Sequence, residues 1–135
     1  MLSTFSVSTR SRTELLDITS QVLDKVRAAK ADSGMCFVFV PHTTAGVTIN
    51  ENADPTVRSD IIMELNKRIP FEDGYHHLEG NSAAHIKASL MGCCVGIPLE
   101  KGELMLGTWQ GIYLCEFDGP RTRRVHVKVM SDVSA

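Results

Sequence analysis

The chain has 135 residues, of which 43% are hydrophobic and 22% charged, and its formal net charge is −2. That length fits one domain, and that apolar share supplies one core and excludes a disordered polymer. The near-neutral balance excludes a global basic field that would draw the chain onto nucleic acid, and no run approaches the ~18 apolar residues of a membrane span.

Residues 1–12 are rich in Ser and Thr and lack the apolar centre of a secretory signal. Thr4–Thr9 alternates as a strand, and Glu14–Ile18 is a second short strand able to pair with it. Thr19 is placed to cap a helix to Lys30, in which Val22, Leu23, Val26 and Ala29 recur at helical spacing. Ser33-Gly34 stops it. Met35–Val40 is a continuous apolar run, as expected of a strand covered on both faces. Pro41 ends it, and Gly46–Asn50 is the next strand. Asp54 is an N-cap with Pro55 at the first helical position, where its missing N–H costs nothing. That helix runs to Ile69 and should bury Val57, Ile61, Ile62, Leu65 and Ile69. Phe71–Gly80 is a polar loop. Asn81 can cap a third, short helix to Leu90, with Ala83, Ile86 and Leu90 on its apolar side and Gly92 at its end.

The remainder reads as β: Cys93–Leu99, a turn at Glu100-Lys101-Gly102, Glu103–Leu106, Gln110–Phe117, a turn at Asp118-Gly119-Pro120, and Arg123–Met130. In the last of these Val125, Val127 and Val129 alternate with His126 and Lys128, which gives one wet face that carries His126. Arg121, Arg123 and Arg124 read as a solvated hairpin flank, and the tail from Ser131 as frayed. The pattern predicts a single α+β domain over residues 1–135. Two to three helices lie on one side of a mixed or mainly antiparallel sheet or sandwich. Both faces of Tyr113–Phe117 are apolar, so a second sheet or another subunit must cover the outer one. Cys36, Cys93, Cys94 and Cys115 match neither a zinc ribbon nor a CxxC motif, and read as reduced thiols of a cytoplasmic protein.

Polar residues gather where the apolar pattern breaks. Pro41-His42-Thr43-Thr44 precedes the buried strand Gly46–Asn50, and Asn50-Glu51-Asn52 ends it. Polar groups there are costly unless satisfied or used. They form either a pocket lip, with His42 as ligand or acid–base group and Glu51 as its partner, or a turn held by Thr hydroxyls. Asp54 is a helix cap. Tyr75-His76-His77 and His85 put three histidines within eleven residues. His77 and His85, with His42, suit a divalent ion such as zinc, Glu79 or Glu51 adding oxygen. The start of the third helix, at Asn81, equally suits phosphate, and a hydrogen-bonded structural loop is the alternative. Trp109 belongs to core or interface, while Thr108 and Gln110 point the other way, and Gln110 can hydrogen-bond a ligand.

The run from His42 to Pro55 resembles the N-terminal motif of the YjbQ-like family. Tyr75-x-His77, Gly80-Asn81 and Ala84-His85-Ile86-Lys87-Ala88-Ser89-Leu90-x-Gly92 resemble its central motif. Gly102-x-Leu104-x-Leu106-Gly107-Thr108-Trp109-Gln110 resembles its C-terminal signature. The loop between Tyr75 and His85 is shorter than in many members. The resemblance implies a compact α+β fold that forms a homotrimer. It implies pockets near subunit contacts, lined by His42, Glu51, His77, Asn81, His85, Thr108 and Gln110. It also implies a weak, secondary thiamine-phosphate synthase activity, a transferase reaction joining a pyrimidine pyrophosphate to a thiazole phosphate.

For that chemistry His42, Glu51, His77 and His85 are the expected catalytic group. Asn50, Asn81, Thr108 and Gln110 are expected to hold substrate or phosphate. His77, His85 and His42 are the expected ligands of a divalent metal, zinc or magnesium. A metal-dependent hydrolase of a small phosphorylated metabolite would use the same residues, and so would a trimeric, non-enzymatic metal- or metabolite-binding module. The expected partners are a small phosphorylated metabolite and two further copies of the chain, with no nucleic acid or membrane. Three sequence-distant clusters satisfy one another most cheaply in one concave pocket. His42, His77 and His85 are thus expected to converge, with Glu51 and Gln110 nearby and His76 and His126 outside.

Overall fold

The computed structural model describes residues 2–133. Its elements are β1 (Leu2–Ser8), β2 (Glu14–Asp17), α1 (Thr19–Ala29), β3 (Gly34–Phe39), β4 (Ala45–Glu51), α2 (Pro55–Arg68), α3 (Ser82–Met91), β5 (Cys94–Glu100), β6 (Glu103–Leu104), β7 (Gln110–Glu116) and β8 (Thr122–Ser131). They form the predicted α+β domain with three helices. The strands make two sheets, ordered β1-β8-β3-β5-β6 and β2-β7-β4, and every pairing is antiparallel.

The sandwich core is a consequence of alternation. Val125, Val127 and Val129 of β8, Cys36 and Val38 of β3, and Ile97 and Leu99 of β5 point inward from the larger sheet. Val47, Ile112 and Leu114 answer them from the smaller sheet, and Val22 and Val26 of α1 join them. The other face of β7 carries Tyr113, Cys115 and, just beyond the strand, Phe117. Helices α2 and α3 cover it through Ala84, Ala88, Ile61, Ile62 and Leu65. The outer face of Tyr113–Phe117 is therefore covered within the chain, by helices and not by a second sheet or another subunit.

Several local expectations are corrected. β2 pairs with β7, not β1, which instead pairs with β8. The N-cap of α1 is Ile18, and Asp17 accepts from the Thr19 N–H at 2.9 Å and from its hydroxyl at 2.6 Å. Asp54 caps α2 as expected, accepting from the Thr56 N–H at 2.9 Å. The predicted face of α2 does turn inward, but none of its residues is fully buried.

Helix α3 buries Ala83 as predicted, together with Ala84, Lys87 and Ala88, but leaves Ile86 and Leu90 of the predicted stripe exposed. Small residues win because α3 lies almost on β4. A Cβ at Gly46 would meet the Gly92 carbonyl oxygen at 2.6 Å, and the Val47 N–H donates to that oxygen at 3.0 Å. Ser131 is paired with Gly34 at the end of β8, and Asp132 is tied to Ser33 by its N–H (2.9 Å) and by its carboxylate (2.9 Å). Ser131 and Asp132 are thus anchored, Val133 is exposed, and the remainder of the tail expected to fray, residues 134–135, lies outside the described residues.

Candidate functional site

Three loops meet at one end of the sandwich. The β3–β4 connection brings Pro41, His42, Thr43 and Thr44, while the α2–α3 connection brings His77, Glu79 and Asn81. The β7–β8 turn brings Asp118 and Arg121. With His85 of α3 and Arg123 of β8 they line a cleft of about 660 Å³. His42, His77 and His85 thus share one concavity, as expected, and neither His76 nor His126 lines it. His126 instead meets the Thr4 hydroxyl at 2.8 Å and stacks on Phe39 at 6.4 Å between ring centroids.

The histidines are not equivalent. His77 and His85 meet edge to face, 5.5 Å between ring centroids. His42 Nε2 accepts the backbone N–H of Arg124 at 2.9 Å. Burial, with the nearby Arg123 charge, lowers its pKa below the ordinary 6.5 and favours the neutral ring. A neutral imidazole accepting at Nε2 carries its proton on Nδ1, so His42 has a donor to offer and no free lone pair. Among the described residues no three His, Cys, Asp or Glu side chains stand together as a metal-binding group. The three histidines therefore do not form a preassembled ligand set within the chain.

Behind the cleft wall lies a network that charge-run reasoning missed. Arg123, read from sequence as solvated, is 4% exposed. Its Nε donates to Glu116 at 2.9 Å, and its Nη2 donates to Glu116 and to the Thr44 hydroxyl at 2.8 Å. Glu116, also buried, further accepts from the Thr9 hydroxyl (2.7 Å) and the Asp118 N–H (3.1 Å). Burial alone would raise the Glu116 pKa, but the bonds from Arg123, Thr9 and Asp118 outweigh it and hold the carboxyl below its usual range. The sequence did contain a signal: Arg123 occupies the same alternating register as Val125, Val127 and Val129.

Glu51, Asn50, Thr108 and Gln110 do not join the cleft within one chain. Glu51 lies at the far end of β4 from His42. Six strand steps of about 3.3 Å put it roughly 20 Å beyond Ala45, where it pairs in register with Gln110. There the side chains brace turns. Glu51 accepts the Ala53 N–H at 3.0 Å, Gln110 the Gly107 N–H at 2.8 Å, and Asn50 the Glu51 N–H at 2.7 Å. Thr108 is exposed, and so is Trp109, which is not a core residue.

Of the four free thiols, Cys36 and Cys115 are buried, and burial pushes their pKa values up to about 11 and about 12. Cys93 and Cys94 are exposed, and Cys93 lines the cleft. No helix among the described residues is long and apolar enough to cross a membrane.

Fold and cleft together define a small α+β sandwich with a donor-lined concavity at one end. The chain belongs to the YjbQ-like family: the family model described as "UPF0047 protein YjbQ-like" matches residues 3–132. It is 50% identical over 132 residues to a UPF0047 protein of Methanocaldococcus jannaschii, covering 98% of this chain and 96% of that one. The UPF0047 protein YugU of Bacillus subtilis is 47% identical over 131 residues, with 96% and 99% covered. Among solved structures, an uncharacterized conserved protein of this family from Clostridium acetobutylicum superposes with a TM-score of 0.93 at 53% identity, covering 95% of this chain and 99% of that one. A hypothetical protein of Aeropyrum pernix gives 0.94 at 34% identity, with 98% and 99% covered.

Proposed function

We propose that the cleft binds a small phosphorylated metabolite. The observation that carries this reading is the density of hydrogen-bond donors around one concavity: the His77–His85 pair, the His42 Nδ1–H, the Thr43 and Thr44 hydroxyls, and two arginines. The arginines are largely balanced by Glu116 and Asp118, so affinity rests on aimed N–H and O–H groups and not on bulk charge.

The family resemblance extends the reading to a thiamine-phosphate-synthase-type transfer. The thiazole nitrogen lone pair attacks the pyrimidine methylene carbon, the C–O bond breaks, and pyrophosphate leaves with the electron pair. The donors of the cleft would stabilise the departing anion. A divalent ion, if one takes part, has His77 and His85 as its free imidazole partners in this chain.

Motif residues at opposite ends of β4 support a shared site. A second copy that sets its Glu51–Gln110 end against the His42 end of the first would bring both halves together. Such unlike-end contacts close into rings, and the homotrimer implied by the family is the smallest ring beyond a pair. Exposed Trp109, at 64%, belongs to that end. A cytoplasmic setting accords with the free thiols.

The test is product analysis by chromatography, with the pyrimidine pyrophosphate and thiazole phosphate in one reaction and generic phosphomonoesters in another. Thiamine phosphate formed by the wild type and lost in His77→Ala and His85→Ala supports the transferase. Hydrolysis of the phosphomonoesters instead would replace it with a hydrolase. Neither product, together with no measurable phosphate affinity, would remove the reading.

A further inference from the structure

Arg123 is a fixed guanidinium with one edge left over. Its Nε and Nη2 are spent on Glu116 and Thr44. Its Nη1 makes no hydrogen bond among the described residues. It is not sealed away either, for the one buried side-chain atom without a partner there is Asn81 Oδ1. Arg123 forms part of the cleft wall, and its side chain keeps about 5% of its surface open to solvent.

Asn81 stands in the same wall. Its Nδ2 donates to Asp118 Oδ2 at 2.9 Å, and the Asp118 N–H donates to Glu116 at 3.1 Å. The free donor edge and the orphaned acceptor are thus held by one continuous network, Arg123–Glu116–Asp118–Asn81. Arg121 differs, with its side chain 52% exposed and its Nε and Nη2 bound to Asp118.

A buried ion pair is a poor way to stabilise a fold, because desolvation consumes most of the attraction. What it does provide is direction, since a guanidinium gripped on two nitrogens cannot swing away from the cleft. We infer that Arg123 is the phosphoryl anchor of the cleft, and that Asn81 is a positioning residue that braces it through Asp118 and Glu116. This inference rests on the phosphorylated-metabolite reading and adds the residues that would hold the phosphoryl group.

The experiment is isothermal titration of the full chain with inorganic phosphate and with phosphoethanolamine, at fixed pH and ionic strength. The variants are Arg123→Lys, the pair Arg123→Met with Glu116→Leu, Asn81→Leu, His77→Ala, and Arg68→Ala as a distant surface-charge control. Arg123→Lys keeps the charge and loses the planar fork, so phosphate affinity should fall about tenfold. The apolar pair should fold, because replacing both buried charges avoids an unpaired one, and should lose phosphate binding altogether. Asn81→Leu, which breaks the brace at Asp118 and leaves the Arg123–Glu116 pair in place, should weaken phosphate binding, but by less than Arg123→Lys does. If the Arg123 variants bind as wild type does while His77→Ala is weakened, the anchor inference is overturned and the cleft reading stands. If wild type binds neither probe, both fall. Should the apolar pair fail to fold, Arg123→Lys decides alone.

Discussion

Replacing Glu116 by Gln keeps the shape of the side chain and removes its charge. Glu116 is fully buried and Arg123 is 4% exposed, so the substitution leaves a guanidinium nearly dry and uncompensated. Breaking one side of a buried ion pair costs about 3–5 kcal/mol. The incoming amide N–H₂ also faces donors, since Arg123, the Thr9 hydroxyl and the Asp118 N–H all point at the carboxylate. Against a domain stability of roughly 5–15 kcal/mol, Glu116→Gln should remove about a fifth or more. Urea unfolding at pH 7, at one protein concentration for both chains, reads this directly. Thr9→Ala, which deletes the hydroxyl's contacts with Glu116 and with the Arg121 backbone but leaves the ion pair intact, should cost less, about 1–3 kcal/mol. The sign with pH is fixed as well. The folded Glu116 pKa lies below its ordinary value, so its contribution is complete above that ordinary value and disappears as pH falls through the folded one. The gap between wild type and Glu116→Gln should therefore close on acidification. A gap under ~1 kcal/mol at pH 7, or one that widens in acid, would refute the reasoning.

Lys87 is buried, its Nζ donating to Asn66 at 2.6 Å and lying 4.0 Å from the centroid of Phe71, whose ring Arg12 also approaches. Burial, with Arg12 nearby, lowers its pKa from 10.5 to about 8. The unfolded chain holds the extra proton between those values, so stability should rise with pH across about 8–10.5, and chemical denaturation of Lys87→Met should lack that rise. Gly46→Ala places a Cβ 2.6 Å from the Gly92 carbonyl oxygen; backbone must move, and thermal unfolding should report a loss of about 1–3 kcal/mol. If zinc binds at His77 and His85, lowering the pH should weaken it, because a protonated imidazole has no lone pair to give. Each single alanine variant should bind less zinc by equilibrium dialysis, with His126→Ala unchanged.

Most of the fold was legible because its signals are local. Asp54-Pro55 fixes the start of α2 through one hydrogen bond and one missing donor, and the valines of β8 declare their face by alternation alone. What failed was long-range. Nothing within Glu14–Asp17 distinguishes pairing with β1 from pairing with β7, since both partners alternate in the same way and the choice is made by which core the strand completes. On α3 the apolar stripe pointed to Ile86 and Leu90, yet the buried residues are Ala83, Ala84 and Ala88, the last beside Gly46 of β4, and Lys87, which turns to Asn66 and Phe71. Packing distance, not hydrophobicity, chose that face.

The candidate site divides along the same line. His42, His77 and His85 could be gathered because each interrupts an apolar pattern beside a loop, and loops at one end of a sandwich meet. Glu51 and Gln110 were grouped with them by polar residue pattern as well as by family motif, although β4 separates Glu51 from His42 by its whole length. A motif groups residues along the sequence and does not record the distance that a rigid strand sets between them. Arg123 shows the converse error. Grouped with Arg121 and Arg124 it looked like a surface charge run, but its register put it among valines, where a charge must be matched or must act. Glu116 matches it on two nitrogens, and Arg123 still forms part of the cleft wall. A charged residue at an inward-facing strand position therefore carries more functional information than several adjacent charges, because only the former has a desolvation cost that some partner must offset.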